Sequence, residues 1–197
     1  MRPILTGLLA LALLSLLPPL IHADSPAASG TESDGQHDFD FELGSWNIHL
    51  KKLMHPLSGS REWVEFDGTS VTREVWDGRS QLEEFETDGA AGHIEGLTLR
   101  LYNPQTREWS LYWANSRTGK MDPPQVGRFK DGQGEFYAMD TLNGQTILVR
   151  FIWSRTHSSS PHFEQAFSSD GGKTWEVNWI TDQTRVPQSP GPGANGP

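Results

Sequence analysis

Residues 96–113 read "GLTLRLYNPQTREWSLYW", and this stretch decides the fold. Its first half alternates Leu97, Leu99 and Leu101 against Thr98, Arg100 and Tyr102. Its second half alternates Trp109, Leu111 and Trp113 against Ser110 and Tyr112. A period of two sorts residues onto the two faces of an extended strand, whereas a helix needs apolar residues three and four apart. Between the halves stands Asn103-Pro104, a turn signal, because proline has no N–H to give to a strand ladder. The stretch predicts two neighbouring antiparallel strands.

The same rhythm runs through the rest of the chain. Trp46, Ile48 and Leu50 alternate in "SWNIHLKKL", Ile147, Val149, Phe151 and Trp153 in "TILVRFIWS", and Trp175, Val177 and Trp179 in "TWEVNW". Turn signals stand at Asp67-Gly68, Asp77-Gly78, Asp88-Gly89, Asp131-Gly132, Asn143-Gly144 and Asp170-Gly171-Gly172. Such dipeptides accept the positive φ of tight hairpins. They recur mostly every ten to fifteen residues or so, about one strand plus one turn. The longest break, residues 115–126, carries Pro123-Pro124 and reads as a loop or short lid. No stretch predicts a convincing helix. The expected fold class is all-β: a single antiparallel meander closed into a barrel of about 8–10 strands, since closure removes exposed strand edges. A two-sheet sandwich is the alternative. The chain has eight Trp, several on the alternating faces that look inward.

The ends differ from this middle. Residues 1–23 hold one Arg, an uncharged run from Ile4 to Leu17, Pro18-Pro19 and a small Ala23. That order is the order of a signal peptide, and the run is too short to span about 30 Å of bilayer comfortably. Cleavage after Ala23 and export to the periplasm or outside the cell are expected. Residues 24–36 read as a polar, acidic, disordered linker and residues 187–197 as a disordered Pro/Gly tail, leaving 37–186 for one barrel domain. The formal net charge of the whole chain is −9, and losing Arg2 would make it more negative still. An acidic exported chain is a poor partner for nucleic acid or an anionic membrane surface. With no Cys there is neither a disulfide framework nor a lipid-modified Cys anchor. The sequence carries no sign of oligomeric state.

"SSDGGKTW", residues 168–175, fits the Asp-box pattern that recurs in β-propellers. A propeller repeats its blades, and no second copy of the pattern is present. The motif is therefore read as local hairpin chemistry: Asp170 accepts turn N–H groups, Gly172 takes an unusual φ, and Trp175 packs back over the hairpin.

"FELGSWNIHL" places Gly44 and Trp46 at the entry of the first strand. This resembles the Gly-x-Trp opening of lipocalins and other calycins. Together with residues 76–86, 96–113 and 168–185, it resembles a family of exported bacterial lipocalin-like proteins of unknown function, across nearly all of 37–186. The resemblance implies a calycin-type barrel in which Trp46 plugs the closed end and Arg185, from the last strand, lies across its ring as a cation–π partner. It supplies no established activity. The haem-binding relatives of nitrobindin type follow their Trp with a Gly-rich run; here "NIHLKKL" follows, so no haem and no other cofactor is expected.

Other chemistry is thin. His157 and His162 match no zinc spacing, and no metal site is expected. In "HDFDFE", Phe39 and Phe41 read as apolar plugs with the carboxylates of Asp38, Asp40 and Glu42 pointing outward. Glu83, Glu84 and Glu86 read as a solvated strand face. There is no G-x-S-x-G elbow and no Cys nucleophile. The remaining candidates are Arg73, Arg100, Arg150 and Glu164, charges set within apolar strands. Alternation alone puts them on the solvent face; in a lumen they would orient a ligand against Trp walls.

Three functions stay open. The first is an exported barrel that binds a small, mostly apolar or aromatic ligand, with Trp46 at the base, Trp113, Trp153 and Trp179 along the walls, and Arg100 and Arg150 as polar contacts. The second is an isomerase- or hydratase-type enzyme on the same barrel, with lumenal Arg, Glu and Tyr as acid–base groups. The third is a packed barrel that acts through its surface.

Overall fold

A computed structural model describes residues 34–187; the signal-peptide reading of 1–23, most of the linker and nearly all of the Pro/Gly tail lie outside the described residues. The domain opens with a 3-10 turn at Asp40–Glu42. The strands then follow: β1 Gly44–Leu53, β2 Trp63–Val75, β3 Ser80–Gly89, β4 Gly92–Asn103, β5 Glu108–Asn115, the two-residue β6 Lys120–Met121, β7 Gln125–Lys130, β8 Gln133–Leu142, β9 Gln145–Ser154, β10 His162–Ser168 and β11 Glu176–Arg185. Every pairing is antiparallel. β1 pairs with both β2 and β11, and the β4–β5 pairing completes a ring of ten strands, with β6 beside the end of β5. The domain is an all-β, lipocalin-like closed meander barrel. Closure leaves the ring without free edges.

The hairpin chemistry follows the dipeptides in part. Asp131-Gly132 and Asn143-Gly144 have positive φ at both residues, the signature of tight turns whose twist matches the strands they join. Asn103 caps the β4–β5 turn, its Oδ1 accepting the N–H of Gln105 at 2.9 Å. Two expected turns are not turns. Asp67-Gly68 lies inside β2 and Asp88-Gly89 ends β3, with the reversal itself at Ala90-Ala91. Gly68 is there for close approach: a Cβ would meet the Glu86 carbonyl at 2.0 Å. A glycine in a strand marks such contact as readily as a turn.

The inward faces were legible for β1, β5 and β9, where the Trp, Ile, Leu and Val positions named above are buried or line the interior. On β4 the expectation is corrected. Thr98, Arg100 and Tyr102 face inward, and Leu97 is exposed. The partner strands decide this: Thr98 sits opposite Trp113, and Arg100 opposite Leu111, so the β5 apolar face fixes the β4 polar face inside. β11 also departs from period two. Gln165 pairs with Trp179 and Ala166 with Val177, leaving Asn178 as an extra residue. This bulge turns Trp179 inward while Trp175 stays outside, against Tyr137.

One end of the barrel is stopped by the segment before β1. Phe39 is fully buried, edge-on to Trp109 at 5.2 Å and to Phe129 at 4.9 Å, within a cluster that includes Phe136 and Trp153. The Trp109 Nε1–H donates to the Gly35 carbonyl at 2.9 Å, and the Tyr102 hydroxyl donates to the Asp34 carbonyl. Residues 34–36, part of the polar linker by composition, are thus tied to the barrel wall. Phe39→Ala removes the plug without touching a strand. It is expected to lower stability by about 3–5 kcal/mol, the range for a fully buried aromatic. A fall in the urea midpoint at unchanged slope checks this; a midpoint at the wild-type value would show that Phe39 does not hold the end closed.

Candidate functional site

The other end of the barrel is open. Above the Phe39 plug lies a cavity of about 420 Å³, within the size range of small-molecule sites. Its middle is aromatic. Trp113 and Trp179 approach at 6.3 Å between centroids, Phe85 packs edge-on to Trp113 at 5.8 Å, and Trp153 lies 5.0 Å from Phe163. Trp113 owes its place to Gly96: a Cβ there would sit 2.3 Å from the indole. The rim carries charge. Lys52 lies 5.5 Å from the Trp179 ring, and burial, helped by Arg117, lowers its pKa. Asp122 and Asp140 stand on the same rim, and burial followed by the charge of Asp140 raises Asp122.

The floor is polar and buried. Arg100 is 1% exposed, and its Nη2 donates to Glu83 Oε2 at 2.7 Å and meets Glu42 Oε2 at 3.4 Å. The guanidinium also lies 5.1 Å from the Phe39 ring and 5.8 Å from Trp153, within cation–π range. Gln183 Nε2 donates to Glu42 Oε2 at 3.4 Å. Burial pushes the Glu42 carboxyl up to about 8 even though Arg100 opposes the shift, and Glu83 pushes it further the same way. Near neutral pH Glu42 therefore keeps its proton beside Arg100.

Of the residues singled out from sequence, Trp113, Trp153, Trp179 and Arg100 meet on the cavity wall. Trp46 lies outside the wall, buried near the closed end, its Nε1–H donating to the Glu42 carbonyl at 2.8 Å. Arg185 lies 4.0 Å over the Trp46 ring and donates to the carbonyls of Leu43 and Phe41. Gly44 makes room for it: its φ is +105°, and a Cβ would crowd Arg185 Nη1 at 3.0 Å. Arg150 is not brought to the cavity. Val149 and Phe151 take the inward positions on β9, so alternation turns Arg150 out, 4.5 Å over Trp175. Arg73 pairs with Glu84 and Glu164 with His162, both away from the lumen. Asp170 accepts the N–H groups of Lys173 and Thr174 at 3.0 Å and the Thr174 hydroxyl at 2.6 Å, which holds its carboxyl well below the usual range. Ser168 Oγ accepts the Gly172 N–H at 2.9 Å, and φ is +88° at Gly172. The Asp box is the β10–β11 hairpin.

Two carboxylates assigned to solvent are corrected. Glu42 and Glu83 both point inward, because Arg100 requires them. A signal for Glu83 was present: Phe85, two residues on, marks its face. Glu42, 58 positions from Arg100, gave none. Gln125 and Gln183, which also line the inner cavity, were not singled out.

No protein-family model matches the chain, and no curated protein matches it in sequence. Among solved structures, the S-type phycobiliprotein lyase CPES from Guillardia theta is similar, with a TM-score of 0.55 and 13% identity over 78% of this chain and 93% of that one. At that identity the likeness is one of fold, and the resemblance to exported lipocalin-like proteins stands at the level of the barrel.

The raised Glu42 pKa has a thermodynamic consequence. Between the ordinary 4.5 and about 8, the folded protein keeps a proton that the unfolded chain loses. Its contribution to stability is complete below that window and is lost as pH rises through it. Wild-type stability is expected to fall relative to Glu42→Gln across this interval, by at least about 1 kcal/mol. Urea unfolding of both proteins at a series of pH values checks it; parallel pH profiles would show that Glu42 ionises in place.

Proposed function

We propose that this is an exported barrel that binds a small, mostly apolar or aromatic molecule in its lumen. The observation that carries the reading is the open aromatic cavity of about 420 Å³: three Trp and several Phe lie around unfilled volume, where a packed barrel would interdigitate them. Aromatic walls favour flat ligands through offset and edge contacts. Export rests on the leader at residues 1–23 and places the site in the periplasm or outside the cell.

The acid–base reading on the same barrel is weaker. It needs a titrating group that touches the ligand. Glu42 titrates in a useful range, but it lies against Arg100 and is not part of the cavity wall. Asp122 belongs to the wall, but at the exposed rim. Binding needs neither.

Native mass spectrometry of protein released gently from the exporting cell is the test, set against the denatured mass. Extra native mass lost on denaturation, on a chain beginning at Asp24, is the expected result. A bare native mass from several preparations, together with no change in Trp fluorescence across a panel of aromatic compounds, would overturn the reading.

A further inference from the structure

The innermost part of the cavity differs from its walls. Arg100, Gln125 and Gln183 all border it, and all are at least nine-tenths buried. Each has a polar atom that no group among the described residues meets: Nε and Nη1 of Arg100, Oε1 of Gln125 and Oε1 of Gln183. Buried polar groups in proteins are nearly always hydrogen-bonded, and an unmet donor on a charged group is the most costly kind. The fork of Arg100 is half used. Glu83 and Glu42 both take Nη2, which leaves the single N–H of Nε and the two of Nη1 without a partner among the described residues.

The charges around Arg100 decide what those donors accept. The carboxyls of Glu83 and Glu42 face it, and the Gln183 amide donates to Glu42, while Asp122, Asp140 and Lys52 stand at the far rim. Glu83 already balances the guanidinium. A second anion on its free side would enter a low-dielectric floor with no counter-charge of its own, and a cation would meet the guanidinium itself. A neutral acceptor meets neither penalty.

We infer that the cavity selects amphipathic molecules, an apolar aromatic body ending in an uncharged hydrogen-bond acceptor such as a ketone, amide or lactam carbonyl, and that this end enters first to accept an unmet N–H of Arg100, at Nη1 or Nε. The inference rests on the binding function proposed above and narrows it to a ligand class. The aromatic walls hold the body, and the floor reads the head. Gln125 and Gln183 supply acceptors for any N–H beside the carbonyl, which suits an amide or lactam.

Three probes with one naphthalene body separate the possibilities on the unaltered protein: 2-acetylnaphthalene, its isosteric hydrocarbon 2-isopropenylnaphthalene, and 2-naphthoate. Binding is read from quenching of Trp fluorescence and by calorimetry. The ketone is expected to bind about ten- to a hundredfold more tightly than the hydrocarbon, the scale of one hydrogen bond to a charged donor, and more tightly than the carboxylate. Equal affinity for ketone and hydrocarbon would overturn the inference while leaving the apolar binding function standing. Tightest binding by the carboxylate would overturn it in favour of an anion site. Failure of all three to bind would overturn both. Arg100→Lys keeps a positive charge beside Glu83 but removes the Nε and Nη1 donors, so in the folded variant the ketone's advantage is expected to shrink to within about threefold of the hydrocarbon. The wild-type series decides the matter even where that variant fails to fold.

Discussion

Taking a guanidinium out of water costs several kilocalories per mole unless carboxylates, hydrogen bonds and rings replace its hydration. At Arg100 the replacement comes from different parts of the chain. Glu83 reaches across from the neighbouring strand, Glu42 from the segment before β1, and the rings of Phe39 and Trp153 from below. Glu42 and Phe39 belong to one short stretch, so the cation cannot be accommodated until that stretch has folded under the barrel. The stretch, in turn, depends on the barrel for its anchors on Trp109, Tyr102 and Trp46. The closed end is one cooperative unit organised around a buried positive charge.

Arg185 locks the same unit from outside. It lies across Trp46 and donates to two carbonyls at the end of the 3-10 turn, Phe41 and Leu43, the orphan acceptors that any helical end presents. The chain must bend sharply between that turn and β1 for this to happen, and Gly44 supplies the bend. The Gly-x-Trp signature thus has a mechanical content here. Gly44 allows the turn to meet the guanidinium, Trp46 gives it a face, and the first and last strands of the chain are stitched side by side, Trp46 opposite Arg185.

Much of this was legible in the sequence. Period-two runs gave the barrel and the inward faces of β1, β5 and β9, and Asn143-Gly144 and Asp131-Gly132 gave turns of the right kind. The rest was not, for physical reasons. On β4 both faces look plausible from within the strand, since leucines sit on one and Arg100 on the other; only the opposing Trp113 and Leu111 settle which is inside. A bulge at Asn178 breaks the alternation that would have put Trp179 beside Trp175. Glu42 and Arg100 meet across 58 positions, a pairing that spacing cannot announce. The floor of the site, the part that gives it chemistry, was therefore the part least visible before folding.

That floor is also the hardest part of the domain to explain by stability alone. Replacing a buried ion pair by apolar residues of similar volume is often neutral or stabilising, and Leu or Phe at positions 83, 100 and 183 would extend the aromatic core already present above and below. Instead the barrel keeps a guanidinium, two carboxyls and glutamines with unmet polar atoms, and leaves open space beside them. A domain shaped only to be a compact surface would gain nothing from either feature. A barrel that must grip a flat molecule by its body and orient it by one polar end needs both, and needs them where they are found, at the inner end of an aromatic shaft whose far side is sealed. The shared fold with a lyase does not carry that reading, because function is carried by sites set into folds; the placement of Arg100 supports it.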